Sequence, residues 1–276
     1  MISSATIGLI SFNNNSNYFI DGFKGLEMPP VRVVNYNLAG EHFGLFVSAF
    51  YGKRRFSLRG WVVGSSVSDF ISKRDALQQA LDILGGEKTI YFTLANNRQI
   101  QINATILGLD FTPIVGGATG AQFQAEFEAA FPFLLSQSEN SQNITLSTGG
   151  GGKVPPDTMP MALAGDSGGN ITVVNNGNGI SYPVVRLSGP VTNPQITNET
   201  VGKLIRIQLT LAAGEYVDLD FKRKTVTDNL GTNRYSSKSG EWWYIQPGSN
   251  VIRFTADGYN ASALANVKNR DSYLGL

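Results

Sequence analysis

The chain has 276 residues, 42% hydrophobic and 16% charged with a net charge of +1, enough length for roughly two domains of about 150 residues. Its 31 Gly, 11 Pro and 23 Asn supply turn formers in abundance, while the charge content lies below the ~25% usual in soluble proteins. That balance excludes a helical bundle, whose exposed faces draw on Lys and Glu, and 16 Phe with 10 Tyr exclude disorder.

The start, Met1-Ile2-Ser3-Ser4-Ala5, has no basic segment leading into an apolar run, so no signal peptide is expected. No window reaches the ~18 consecutive apolar residues of a membrane span. One helix is expected, over 68–84. Ser68 is a suitable N-cap, Asp69 lies in the first turn, Phe70, Leu77, Leu81 and Leu84 recur at helical spacing, and Gly85-Gly86 ends it. Lys88–Leu94 and Arg98–Leu107 then read as a hairpin. An Asn96–Arg98 loop pairs Leu94 with Ile100, Phe92 with Ile102 and Ile90 with Ala104, keeping every apolar residue on one side. Phe123, Ala125, Phe127, Ala129 and Phe131 alternate with mainly polar residues, the period of a half-buried strand, and Pro132 stops it.

Gly149, Gly150, Gly151 and Gly152, followed by Pro155-Pro156, read as a flexible joint with a stiff end. The expected organisation is therefore an N-terminal domain over 1–148, a linker over 149–156 and a C-terminal domain over 157–276. In the second half Ile205, Ile207, Leu209 and Leu211 alternate with polar residues, as do Val217, Leu219 and Phe221 after Ala212-Ala213-Gly214. A second hairpin is expected, pairing Leu209 with Val217, Ile207 with Leu219 and Ile205 with Phe221. Shorter strands are expected at Ile171–Val174, Val184–Leu187, Trp242–Ile245 and Val251–Phe254, between Asn/Gly/Pro turns. The fold class is all-β with one short helix, and many short strands between turns indicate a β-sandwich.

Candidate chemistry is sparse. Neither half has a cationic surplus (10 basic against 11 acidic residues over 1–148, 12 against 10 beyond), so affinity for a phosphate backbone is not expected. Zero Cys excludes disulfides and thiolate metal sites, and a single His excludes His₃ and His₂-carboxylate centres within one chain. Gly165-Asp166-Ser167-Gly168-Gly169 matches the nucleophile segment of trypsin-like serine proteases, with His42 upstream. A Gly-rich loop is the simpler account, because His42 lacks that family's surroundings and one protease fold would have to straddle the tetra-Gly joint. Gly149–Lys153 looks like half a phosphate loop, but Val154-Pro155-Pro156 deny it the Ser or Thr and the helix such a loop needs. Asp218 and Asp220 share a strand face. The expected register sets Gln208 opposite Asp218 and Arg206 opposite Asp220, so a cross-strand ion pair on a solvated face accounts for them as well as paired glycosidase carboxylates do. If Trp242-Trp243 lies on a strand, one Trp enters the core and the other leaves it; the outward ring is then either buried by a neighbouring loop or able to stack on a sugar or anchor a protein contact.

Read in order, the two halves resemble the distal tail proteins of long, non-contractile-tailed bacteriophages. Arg55-Phe56-Ser57-Leu58-Arg59-Gly60 looks like that family's Arg–aliphatic strand ending in Gly, and Arg74-Asp75-Ala76-Leu77 like its helical Arg-x-x-Leu. Asn193-Pro194-Gln195-Ile196-Thr197-Asn198, Gly202, Gly214-Glu215, Asp220 and Pro247-Gly248-Ser249-Asn250 follow its order of turns and strands. The resemblance implies a tail-tube-like β-sandwich with its helix, then a galectin-like, jelly-roll β-sandwich. It further implies a ring, usually hexameric, between the tail tube protein and the tail-tip or baseplate hub protein, with DNA passing through and a receptor-binding protein as a further neighbour. Such a subunit is part of the virion, at the distal end of the tail, assembled in the host cytoplasm. It is no enzyme and needs no cofactor. Two other readings compete: a carbohydrate-binding module using an exposed Trp242 or Trp243, and, more remotely, a serine protease using Ser167 and His42.

Overall fold

The computed structural model describes residues 2–13, 17–40, 42–113, 119–146, 169–258 and 260–276. They form two compact units, Met1–Gln137 with Tyr273–Leu276, and Ser138–Ser272.

The first unit contains β1 (Ile2–Ile7), β2 (Ile10–Phe12), β3 (Tyr18–Lys24), β4 (Val31–Asn37), β5 (Gly44–Tyr51) and β6 (Arg54–Val63). After α1 (Val67–Ala80) come β7 (Lys88–Leu94), β8 (Gln99–Pro113), β9 (Gly120–Ala129) and β10 (Leu134–Ser136). The main sheet runs β2-β1-β7-β8-β9-β6-β3, with β10 also paired to β8. Strand β8 carries the chain from one layer to the other: Gln99–Ala104 pair with β7, and Thr105–Pro113 pair with β9. The change comes at a register shift between Ile106 and Gly108, where a bulge bends the strand. Phe56, Leu58, Phe92, Phe123 and Phe127 are buried in one core with Ile90, Ile100 and Ile102. The alternation of Phe123, Ala125, Phe127 and Ala129 is the inward face of β9.

Three expectations here need correction. The β7–β8 hairpin pairs Phe92 with Ile100 and Ile90 with Ile102, two residues away from the expected register. Its loop is Ala95–Asn97, because Asn97 takes the left-handed conformation (φ 59°) and its N–H donates to the Leu94 carbonyl at 2.8 Å. A shift of two keeps each side chain on its face, so the inward residues are still the expected ones. The helix is capped by Ser66 rather than Ser68, its side chain accepting from Asp69 N–H at 3.2 Å. It also ends at Ala80 rather than 84, since the Asp82 side chain accepts from Leu84 N–H and starts a separate 3₁₀ turn, Ile83–Gly85.

The second unit has β11 (Asn140–Thr145), β12 (Asn170–Asn175), β13 (Val184–Ser188), β14 (Val191–Thr192), β15 (Gln195–Asn198) and β16 (Lys203–Ile207). They are followed by β17 (Thr210–Leu211), β18 (Tyr216–Asp220), β19 (Thr225–Asp228), β20 (Lys238–Gly240), β21 (Gly248–Thr255) and β22 (Leu264–Asn269). Two five-stranded sheets result, β11-β22-β13-β18-β19 and β12-β21-β15-β16-β20, with β14–β17 as a separate pair. Val185, Leu187, Val217 and Leu219 from the first and Ile196, Ile205, Ile207, Ile252 and Phe254 from the second enclose one core, the arrangement of a β-sandwich.

The expected second hairpin does not form. β16 pairs with β15 and β20, whereas β18 pairs with β13 and β19 in the other sheet. Both strands turn an apolar face to the same core, so their alternation is correct while their partnership is not. Trp242–Ile245 is not a strand either; Ile245 makes a single bridge to Ser181. The division between units falls at Gln137/Ser138, before the expected 148, since β11 pairs with β22 of the second unit. Gly149, Gly150, Gly151 and Gly152, with the whole expected linker 149–156, lie outside the described residues.

Candidate functional site

The feature that stands out in the first unit is an arm. β4 and β5 pair with each other in a two-stranded sheet, Val31 opposite Tyr51 and Asn37 opposite Gly44. Every residue of β4 is exposed, as are six of the eight in β5. Phe46 is 67% exposed, Tyr36 61% and Phe50 56%, and Val31, Val33, Val34, Leu45 and Val47 are exposed too. Two lone strands are at best marginally stable in water, and an apolar surface of this extent on a folded chain marks an interaction site. Among the charged residues of the two strands, Arg32 stands alone and has no ion-pair partner among the described residues.

The base of the arm is held firmly. Gly52 N–H donates to the Pro30 carbonyl at 2.7 Å, and Tyr51 meets Phe133 edge-on at 5.4 Å. Next in sequence, Arg54 opens β6 with a completely buried side chain that makes no ion pair among the described residues. Its Nε donates to Pro132 O at 2.7 Å, Nη1 to Gly25 O at 3.2 Å and Glu27 O at 2.6 Å, and Nη2 to Leu274 O at 2.6 Å. Burial pushes its pKa down to about 10, against a smaller upward pull from the Glu27 charge. The guanidinium therefore ties together the start of β6, the turn leading to the arm, the segment after β9 and the C-terminal residues. Outside this cage, Glu128 bridges Lys53 (2.9 Å) and Arg55 (3.0 Å), and those hydrogen bonds draw its pKa downward.

The family-like positions act in turns and packing and are not gathered into one site. Arg55 is the exposed partner of Glu128 on β6. Gly60 lies against the Phe19 carbonyl and the Phe123 ring, leaving no room for a Cβ. Arg74 pairs with Asp75 on the helix surface at 2.8 Å, and Leu77 is the helix's buried contact with the core. In the second unit Asn193 Nδ2 donates to Asp257 at 2.8 Å, and Pro194 O accepts from Ile207 N–H at 2.9 Å. Gly202 and Gly214 occupy turns with positive φ, and Gly248, which follows Pro247, opens β21 with positive φ. Asp220 accepts from the N–H groups of Lys222 and Arg223 at 2.9 Å. Asn250 is fully buried, accepting from Gln246 N–H at 2.9 Å and donating to Gln246 O at 2.8 Å.

The other candidates separate. Trp243 is buried, 4.2 Å from Phe221 between ring centroids. Trp242 is half-buried, edge-on to Phe221 at 5.1 Å and stacked with Tyr235 at 6.3 Å, with the Lys238 ammonium 5.3 Å above its ring. The pair is not on a strand, and the expected inward–outward split is partial: Trp243 is buried, while Trp242 also packs against the core through Phe221. Asp218 takes a bidentate ion pair from Arg186 on β13 at 2.8 Å. The expected partners are elsewhere: Arg206 binds Asp257 at 2.6 Å, and β16, with Gln208 just beyond it, lies in the other sheet from Asp218. The expected Arg206–Asp220 pairing does not form; a cross-strand pair forms instead between Arg186 and Asp218. His42 is exposed in the turn of the arm, and Ser167 lies outside the described residues. No group of three or more His, Cys, Asp or Glu able to hold a metal occurs among the described residues.

Residues 176–269, nearly all of the described second unit beyond β11 and β12, match the family model SPP1 Dit, a siphovirus-type tail component, C-terminal domain. Over these residues the sequence is similar to that tail-component family. The fold agrees over a greater length. The Dit protein of phage SPP1, described as a paradigm of the hub adsorption apparatus in phages infecting Gram-positive bacteria, superposes with a TM-score of 0.64 at 11% identity, covering 92% of this chain and 93% of that one. A chain of the phage P2 baseplate in its activated conformation superposes with a TM-score of 0.52 at 10% identity, covering 97% of each. No curated protein matches the sequence. The all-β, two-unit Dit fold is therefore shared along nearly the whole chain, while its sequence signature is confined to the second unit.

The arm and the Arg54 cage are the features that sequence reasoning missed. The arm left one signal, two apolar runs flanking Leu38-Ala39-Gly40 that are apolar on both faces. Arg54 left none, since its acceptors come from three distant parts of the chain.

Proposed function

We propose that this chain is a structural subunit of a phage distal tail that assembles with copies of itself into a ring, six to a ring as in the family it resembles. The ring joins the tail tube to the tail-tip or baseplate hub and leaves a passage for DNA. The observation that carries this reading is the arm: a projecting two-stranded sheet with large apolar side chains on both faces, on a unit whose own core is already complete. A surface of that kind on a folded chain marks a site of contact with another chain. The near-zero net charge fits a conduit that lets DNA through without gripping it. A subunit of this kind needs no reactive site, and of the side chains weighed for catalysis Asp218 is held in an ion pair by Arg186 and Asp220 caps a turn. The test is negative-stain imaging of the purified chain. Rings with a central hole are expected, and their loss in the double variant Phe46→Ser/Phe50→Ser ties them to the arm. Single particles of one-chain mass at every concentration would overturn the reading.

A further inference from the structure

We propose that the open seam between β1 and β3 of the first unit is the socket for the β4–β5 arm of a second copy. The inference rests on the ring reading above and adds where the arm goes.

The seam follows from the strand order. β3 ends the main sheet, hydrogen-bonded to β6 on one side. At the other end β2 covers only Ala5–Ile7 of β1, so Ile2 and Ser4 pair with β7 and, among the described residues, have no strand on their outer side. These two strand edges border one cleft of about 640 Å³, lined by Ile2, Ile20, Phe23 and Leu26, with Asp21 and Glu27 among its polar residues. A cleft that combines unpaired strand edges with apolar side chains suits an extended segment, whose main chain bonds to the edges while alternate side chains fill the floor.

Three observations choose the occupant. Among the described residues each strand of the arm has one neighbour, the other strand, and so an outer edge free to pair. The arm's exposed apolar surface needs cover of the sort the cleft supplies, and the chain's own arm does not fill it, because those side chains stand exposed. Charge also matches. Among the described residues Arg32 is a cation without an ion pair and Glu27 is a carboxylate in no ion pair; its oxygen accepts the Gly25 N–H at 3.1 Å, and its charge also acts on the buried Arg54. The other carboxylate, Asp21, is already held by Arg59 at 2.7 Å. Arm and seam are different surfaces of one chain, so the contact is heterologous and repeats from copy to copy, closing into a ring when the rotation allows.

The absence of cysteine makes the test clean. Full-length chains carrying Ser3→Cys in the seam are mixed with chains carrying Val33→Cys, Phe46→Cys or Phe50→Cys in the arm and gently oxidised. At least one arm variant is expected to give a disulfide-linked heterodimer, identified by peptide mass, at ten-fold or more the yield of a Leu230→Cys control on the second unit. Both cysteines in one chain should then give a ladder of multimers. If the parent multimerises by light scattering while no arm variant exceeds the control, the seam is not the socket and the ring reading survives. A parent that stays monomeric overturns both.

Discussion

Replacing Arg54 by Met retains much of the side chain's length and removes its charge and all of its hydrogen bonds. The native guanidinium donates to four carbonyl oxygens at 2.6–3.2 Å from a fully buried position. Hydrogen bonds from a charged donor contribute about 1.5–3 kcal/mol each, and the burial of the charge offsets several kcal/mol of that sum. After substitution the four acceptors are left together in a site without a donor. The balance is a loss of about 3–5 kcal/mol, the range seen when one side of a buried charged network is removed. For a unit of this size that corresponds to a fall in Tm of roughly 10–15 °C. Differential scanning calorimetry should show the first unit's transition moving by that amount and the second unit's staying in place. Hydrogen exchange at the Leu276 amide, which donates to Leu26 O at 3.1 Å, should quicken at the same time. A shift below about 1 kcal/mol, or an equal shift in both transitions, would refute the view that Arg54 binds the C-terminal residues and the base of the arm into one unit.

Gly60→Ala places a methyl group against the Phe19 carbonyl and 2.9 Å from the Phe123 ring, and should cost about 2–4 kcal/mol in urea unfolding. Trp243→Ala should lower stability by about 3–5 kcal/mol, and Trp242→Ala, from a half-buried ring, by less; near-ultraviolet circular dichroism with denaturant titration separates the two. The Asp69 pKa is lowered to about 2, chiefly by the hydrogen bond from Lys73 and then by those from Ser65. Its folded value lies below its unfolded one, so its contribution is present in full above pH 3.8 and fades as the pH falls toward about 2. Helix content followed by circular dichroism should decline over that window, and less so in Asp69→Asn.

How much of this was legible depends on which physical scale set each feature. Alternation on β9, with Phe123 and Phe127 inward, is a local property and was readable. So were the inward faces of β7 and β8, although the loop position was not, because a left-handed Asn97 and a left-handed Arg98 give the same pattern of faces. The partners of β16 and β18 were unreadable in principle: two strands on opposite walls of one core carry the same alternation as two strands side by side. The helix ran short because Asp82, an ordinary polar position in the periodic pattern, serves as the cap of a new turn. The arm escaped notice since its buried face is supplied by no part of its own unit, so no period betrays it. Arg54 escaped because a cage built from residues 25, 27, 132 and 274 exists only after folding.

The central claim is that the arm joins copies of this chain. Sedimentation velocity across a hundred-fold range of concentration tests it most directly, comparing the parent with Phe46→Ser/Phe50→Ser. The account predicts a discrete multimer for the parent and a folded monomer for the variant, with unchanged far-ultraviolet circular dichroism. Equal sedimentation of the two proteins, whether both assemble or neither does, would contradict it.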